Sequence, residues 1–105
     1  MSKKKVITKP VLDKIRGIKV SNLLTGNGKG SPNQFELRIP GVGTVFQSYK
    51  SIIAVKLNTG ITVLDDYYWD YSVTTSRYRN QFLGENTAET RKKIESGEYK
   101  LANLN

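Results

Sequence analysis

From Gln34 to Ile39 every second residue is apolar: Phe35, Leu37 and Ile39 alternate with Glu36 and Arg38, and Pro40-Gly41 closes the run. A period of two places alternate side chains on opposite faces of an extended chain, so this segment reads as a strand with one wet face. VGTVFQSY follows with Val42, Val45, Phe46 and Tyr49, and SIIAVKLN reads as a mostly buried strand. Thr59-Gly60 supplies a turn, after which ITVLDD resumes with Ile61, Val63 and Leu64. Residues 51–66 are therefore expected to form a β-hairpin.

The pattern changes on either side of this block. VLDKIRGIKVSNLL spaces Val11, Leu12, Ile15, Ile18, Leu23 and Leu24 irregularly around Gly17, which predicts a short helical turn followed by a strand. TGNGKGSPN, residues 25–33, has the composition of a flexible exposed loop. After Tyr71 the spacing becomes helical: Ser72 or Thr74 is an N-cap, Tyr78 and Phe82 share a face, and Gly84 is a natural stop. A second helix is expected from Asn86 or Thr87 to Gly97, with Asn86 and Glu89 at capping-box spacing. EYKLANLN is left as a last edge strand or a packed tail.

The fold class that results is α+β. A small antiparallel sheet of about four or five strands, arranged as a meander, carries one or two C-terminal helices packed on it. The 105 residues allow one core. The expected division is a flexible basic arm over residues 1–10 and a single domain over 11–105.

Composition narrows the chemistry. The chain has no cysteine and no histidine, which removes disulfides, ordinary structural zinc sites and the side chains most used for acid–base and nucleophilic catalysis near neutrality. The reading is a protein that is not an enzyme, with no cofactor and no bound metal. The longest apolar run, Ile52-Ile53-Ala54-Val55, is far short of the roughly 20 residues that span a bilayer. MSKKKVITKP has the charge of a signal peptide without its apolar stretch or cleavage site. No membrane partner and a cytoplasmic location are expected.

The net charge of +8 is concentrated near the start, where Lys3, Lys4, Lys5, Lys9, Lys14, Arg16, Lys19 and Lys29 face a single acid, Asp13. Such density attracts the phosphates of DNA or RNA through counterion release. A solubilising tail and an acidic protein partner are the competing readings.

The run from Phe46 to Gly84 resembles a domain found in small uncharacterised proteins of bacteriophages and other mobile elements. The resemblance rests on Phe46, Ser48, Tyr49, Ile53, Ala54, Trp69, Asp70, Tyr71, Ser72, Thr74, Thr75 and Ser76, with the Trp-Asp-Tyr-Ser block its most specific part. It implies a phage origin, hence a host-cell cytoplasmic location, and no catalytic residues.

Three further constellations carry candidate chemistry. Tyr67, Tyr68, Trp69, Tyr71, Tyr78 and Phe82 are six of the ten aromatic residues. Beside Arg77 and Arg79 they offer base stacking or a protein-binding hot spot, against the plainer role of core packing. If the segment is extended, Tyr67 and Tyr68 cannot both point inward. The helix start SVTTSRYR combines backbone N–H groups, hydroxyls and two arginines suited to a phosphate, or simply a capped helix with solvated arginines. Asp65, Asp66 and Asp70 are a weak Mg²⁺ candidate, and GNGKGS fails the P-loop pattern because Gly30 follows Lys29. The leading expectation is a non-enzymatic accessory protein binding nucleic acid through Lys3, Lys4, Lys5, Lys9, Lys14, Arg16, Lys19, Lys29, Tyr67, Tyr68, Arg77 and Arg79. The alternative is a modulator or inhibitor that docks on a host or phage protein, such as a polymerase subunit or a defence factor.

Overall fold

The computed structural model describes residues 8–105. In order, the elements are α1 (Lys9–Arg16), β1 (Lys19–Leu24), β2 (Gly30–Ile39), β3 (Gly43–Ser48), β4 (Ser51–Leu57), β5 (Thr62–Asp65), α2 (Val73–Leu83), α3 (Thr87–Glu95) and β6 (Tyr99–Ala102). The strands form one sheet in sequence order, β1 to β6. The first four pairings are antiparallel and β5–β6 is parallel.

The fold is α+β, with six strands and three helices among the described residues, two of the helices C-terminal. The sheet has one strand more than the upper expectation, and one strand is longer than expected. EYKLANLN contributes β6, brought alongside β5 by the crossover through α2 and α3, which is what a parallel pairing needs. The stretch 25–33 is not all loop: β2 begins at Gly30, and Ser31 is buried. Its glycines and Pro32 mask a strand that the pairing with β1 imposes. Only the turn from Thr25 to Lys29 remains, closed by the Thr25 N–H to the Lys29 carbonyl at 2.7 Å. At the other end, Lys9 and Pro10 form the first turn of α1, where proline's missing N–H costs nothing. The segment read as an arm thus enters a helix before Pro10, and residues 1–7 lie outside the described residues.

The sheet buries one face under the C-terminal helices. Leu23, Phe46, Ile53, Ala54 and Leu64 pack with Tyr78 and Phe82 of α2, and Trp69, Tyr68, Leu83, Ile94 and Tyr99 close around them. A bulge lets Ile53 join Ala54 in this cluster: Phe46 pairs with Ala54, but the next pair is Gln47 with Ile52. Gly43 is obligatory at the start of β3. A Cβ there would lie 2.1 Å from the Lys56 carbonyl oxygen, and its φ of 148° disfavours any side chain. Tyr49 makes the tight β3–β4 turn at φ 54°, an uncommon left-handed conformation for a non-glycine residue.

Candidate functional site

Helix α2 begins where the sequence signals placed it. Ser72 is the N-cap, its hydroxyl accepting from the Thr75 N–H at 3.1 Å, and Gly84 ends the helix in the left-handed conformation. Before it, the chain makes a tight turn around the Asp65 carboxylate. One oxygen accepts the Tyr67 and Tyr68 N–H groups at 3.1 and 2.8 Å. The other accepts the Leu104 N–H at 2.8 Å and the Asn105 amide at 3.0 Å. Burial pushes this carboxyl up, but those four donors outweigh it and hold Asp65 below its ordinary value.

The turn gathers three tyrosines into one cluster. Ring centroids lie 4.8 Å apart for Tyr67–Tyr68, 5.2 Å for Tyr68–Tyr71 and 5.7 Å for Tyr67–Tyr71. Tyr68 packs against the core, while Tyr67 and Tyr71 are 67% and 59% exposed. The exposed side of α2 continues from them through Val73, Arg77 and Gln81, spaced four apart on one helix face. Gln81 then meets the sheet edge: its amide accepts the Leu24 N–H and donates to the Leu24 carbonyl, both at 2.8 Å. Leu24 opens the turn that carries Lys29. A strip of exposed residues therefore runs from Tyr67 and Tyr71 along α2 to Gln81 and the Leu24 edge, next to the turn that carries Lys29. Beside the strip lies an open groove of about 590 Å³ lined by Asp70, Ser72, Val73, Ser76, Arg77, Asn80 and Thr87.

Beneath the groove sits Arg79, which is wholly buried. Its guanidinium donates to the Trp69 carbonyl, the Ser76 hydroxyl (3.3 Å), the Asn80 side-chain carbonyl (3.0 Å) and the Thr87 hydroxyl (2.8 Å). Asp70 lies 3.7 Å away and also takes Arg91 at 3.1 Å and the Ser76 hydroxyl at 2.9 Å. Burial lowers the Arg79 pKa from its ordinary value, against the pull of Asp70. Burial also opposes ionisation of Asp70, but Ser76 and the two arginines win and keep its pKa low. Arg79 and Arg91 both lie over the Trp69 ring, 5.2 and 5.1 Å from its centroid.

A family model matches residues 2–98, nearly the whole chain. The chain belongs to the family of unknown function DUF8033. No curated protein and no solved structure matches it. The match extends far beyond Phe46–Gly84, into the basic N-terminal segment and through α3. In this DUF8033 chain the Trp-Asp-Tyr-Ser block has a plain structural account. Trp69 and Asp70 bind the two arginines that join α2 to α3, Tyr71 completes the tyrosine cluster, and Ser72 caps α2.

Of the residues singled out from sequence, Tyr67 and Arg77 are exposed just before and on α2, and Lys29 lies in the turn that follows Leu24. Tyr68 supports the strip from below. Lys9, Lys14 and Arg16 lie on α1 and Lys19 begins β1, so they sit at the far end of that strand, roughly 20 Å from Lys29 by strand geometry. Lys3, Lys4 and Lys5 fall outside the described residues. Arg79 is corrected from a surface contact to a buried arginine that cross-links the helices, because a rotation of about 200° from Arg77 turns it under α2. Trp69, expected as a core anchor, is only partly buried and packs against the core from its rim. The acidic trio does not converge: Asp65 is consumed by backbone donors, Asp70 by arginines, and Asp66 is exposed.

Sequence reasoning missed the groove. Ser72, Ser76 and Asn80 recur every four residues, a signal that one helix face is lined with hydrogen-bonding groups. That Thr87 faces them across the groove has no sequence signal, since it depends on how α3 folds back.

Proposed function

We propose that this chain is a non-enzymatic, phage-type accessory protein that binds single-stranded nucleic acid along the α2 strip. The observation that carries the reading is the exposed pair Tyr67 and Tyr71, both packed against Tyr68, Tyr67 edge to face and Tyr71 tilted, beside a groove containing Arg77. Rings fixed in this way give stacking platforms at little entropic cost, and every base has a face to offer them. Arg77 and the first N–H groups of α2 suit a phosphate between stacked bases, with Lys29 further along the path. Lys19, Lys9, Lys14 and Arg16 extend the positive field along the β1 edge, and Lys3, Lys4 and Lys5 add charge to the same segment. Arg79 has no part in contacting the ligand.

The test is an anisotropy titration of labelled single-stranded DNA, single-stranded RNA and duplex DNA at two salt concentrations. Single strands should bind more tightly than duplex and weaken as salt rises. Tyr67→Ala and Tyr71→Ala should each lose about 1–3 kcal/mol of single-strand affinity, the value of one stacked base. Arg77→Ala should lose a similar amount, the scale of a charge-assisted contact of about 1.5–3 kcal/mol. Absence of binding at low salt, or equal binding by all three variants, would overturn the proposal.

A further inference from the structure

Partners in antiparallel strands point to the same face of the sheet. Phe46, Ala54 and Leu64 are successive partners and form the row that α2 covers. One position along, Val20, Leu37, Val45, Val55 and Val63 are also successive partners, so a row of five aliphatic side chains crosses five strands on the opposite face. Phe35, Gln47 and Ile52 form the adjacent row on one side, and Ile39, Gly43 and Leu57 on the other.

None of these rows belongs to the core under the helices, and α1 has no buried residue. Exposure rises from 6% at Val45 and 9% at Val55 in the centre to 61% at Val20 on the edge. The centre of the face is screened by its neighbours in the sheet, while α2 and α3 pack with the cluster on the other face. Lys100, the partner of Val63, is the ionisable group at the end of the row. The interior of the face is uncharged, which suits neither nucleic acid nor an acidic partner and matches the charge-depleted centre of a protein interface.

We propose that two copies of this chain pack these faces together as a homodimer. Five strands about 4.8 Å apart and about 20 Å long cover on the order of 500 Å² per copy. A footprint of this size on each copy lies at the low end for a specific interface, with most of the accessible area coming from the rim of the face because Val45 and Val55 are already nearly enclosed. A two-fold axis through the middle of the sheet sets Val45 and Val55 against their own equivalents, at the roughly 10 Å spacing of packed sheets. The net charge of +8 per copy does not forbid this. Lys19, Arg38 and Lys56 lie in one row of the helix-bearing face, so the sheets of both copies separate them by more than the Debye length of about 8 Å at physiological salt. The dimer leaves the α2 strip outward and does not depend on what that strip binds.

Sedimentation equilibrium on the nuclease-treated full chain, from low micromolar to several hundred micromolar, tests the proposal. The expected result is a concentration-dependent dimer that tightens as salt rises, because screening relieves the repulsion between copies. Leu37→Lys and Val20→Lys should each raise the dimer dissociation constant at least about tenfold, by placing an ammonium in an apolar contact. Val20 is exposed enough for its variant to keep the fold even where Leu37→Lys does not, as circular dichroism will show. Val73→Lys, at an exposed site on α2, should leave the constant unchanged. A single-copy mass over the whole range overturns the proposal, as does a dimer that Val20→Lys leaves intact or that Val73→Lys disrupts.

Discussion

Two positions along a helix are about 200° of rotation, and that rotation separates the fates of Arg77 and Arg79. Arg77 looks outward into the groove, while Arg79 is wholly buried and serves the Trp69 carbonyl, Ser76, Asn80 and Thr87. Removing a buried charge partner leaves acceptors without donors, so Arg79→Ala should destabilise the fold by roughly 3–5 kcal/mol. Arg77→Ala should shift stability by less than about 0.5 kcal/mol, as surface changes usually do. Urea denaturation of the two variants checks the contrast. Equal loss of stability would place both side chains in the same structural role and remove Arg77 from the ligand-contacting strip.

At the scale of elements, the Asp65 carboxylate joins three pieces of chain that are distant in sequence: the end of β5, the tyrosine turn and the segment after β6. Asn105 continues the tie by pairing with both backbone groups of Ile52, at 2.7 and 2.8 Å. Beyond the three registered pairs of β4 with β5, a side-chain amide thus takes the place of a neighbouring strand. Asp65→Ala should cost about 3 kcal/mol, since several N–H groups lose a charged acceptor at once. Loss of the tie should also free the tyrosine cluster. The checks are chemical denaturation and near-ultraviolet circular dichroism, where a weakened tyrosine signal is expected even under conditions that keep the variant folded.

Across the whole molecule, three acidic side chains respond together to pH. Glu85 is almost enclosed and binds Lys93 and Tyr99, each at 2.7 Å, along with Thr90. Burial raises its pKa, but these partners overcome the effect and hold it below the ordinary 4.5. Asp65 and Asp70 lie below their ordinary 3.8. The unfolded chain therefore takes up protons before the folded one does, and stability falls as pH falls. The contribution is complete above the ordinary values and is lost as pH drops through the lowered folded-state ones. The melting temperature should be nearly flat from neutrality to about pH 5 and then decline. Glu85→Gln should melt lower at neutral pH and lose less on acidification, which differential scanning calorimetry measures directly.

Alternation in QFELRI, the Thr59-Gly60 turn, the Ser72 and Gly84 boundaries and the Asn86–Glu89 capping box are local signals, set by residues within a few positions of one another. The sequence alone determined the α+β class, the 51–66 hairpin and both C-terminal helices for that reason. It also determined a basic N-terminal segment, because charge needs no fold to be counted. The tertiary structure decided what depends on distant contacts. Residues 30–33 joined a strand because β1 lies alongside, and Tyr99–Ala102 became β6 because a crossover returned the chain to β5. Arg79 was buried, Thr87 was brought to the groove and Asp65 was given donors from residues 104 and 105 by the same long-range packing. Composition counts the arginines, but only packing determines which of them reaches solvent.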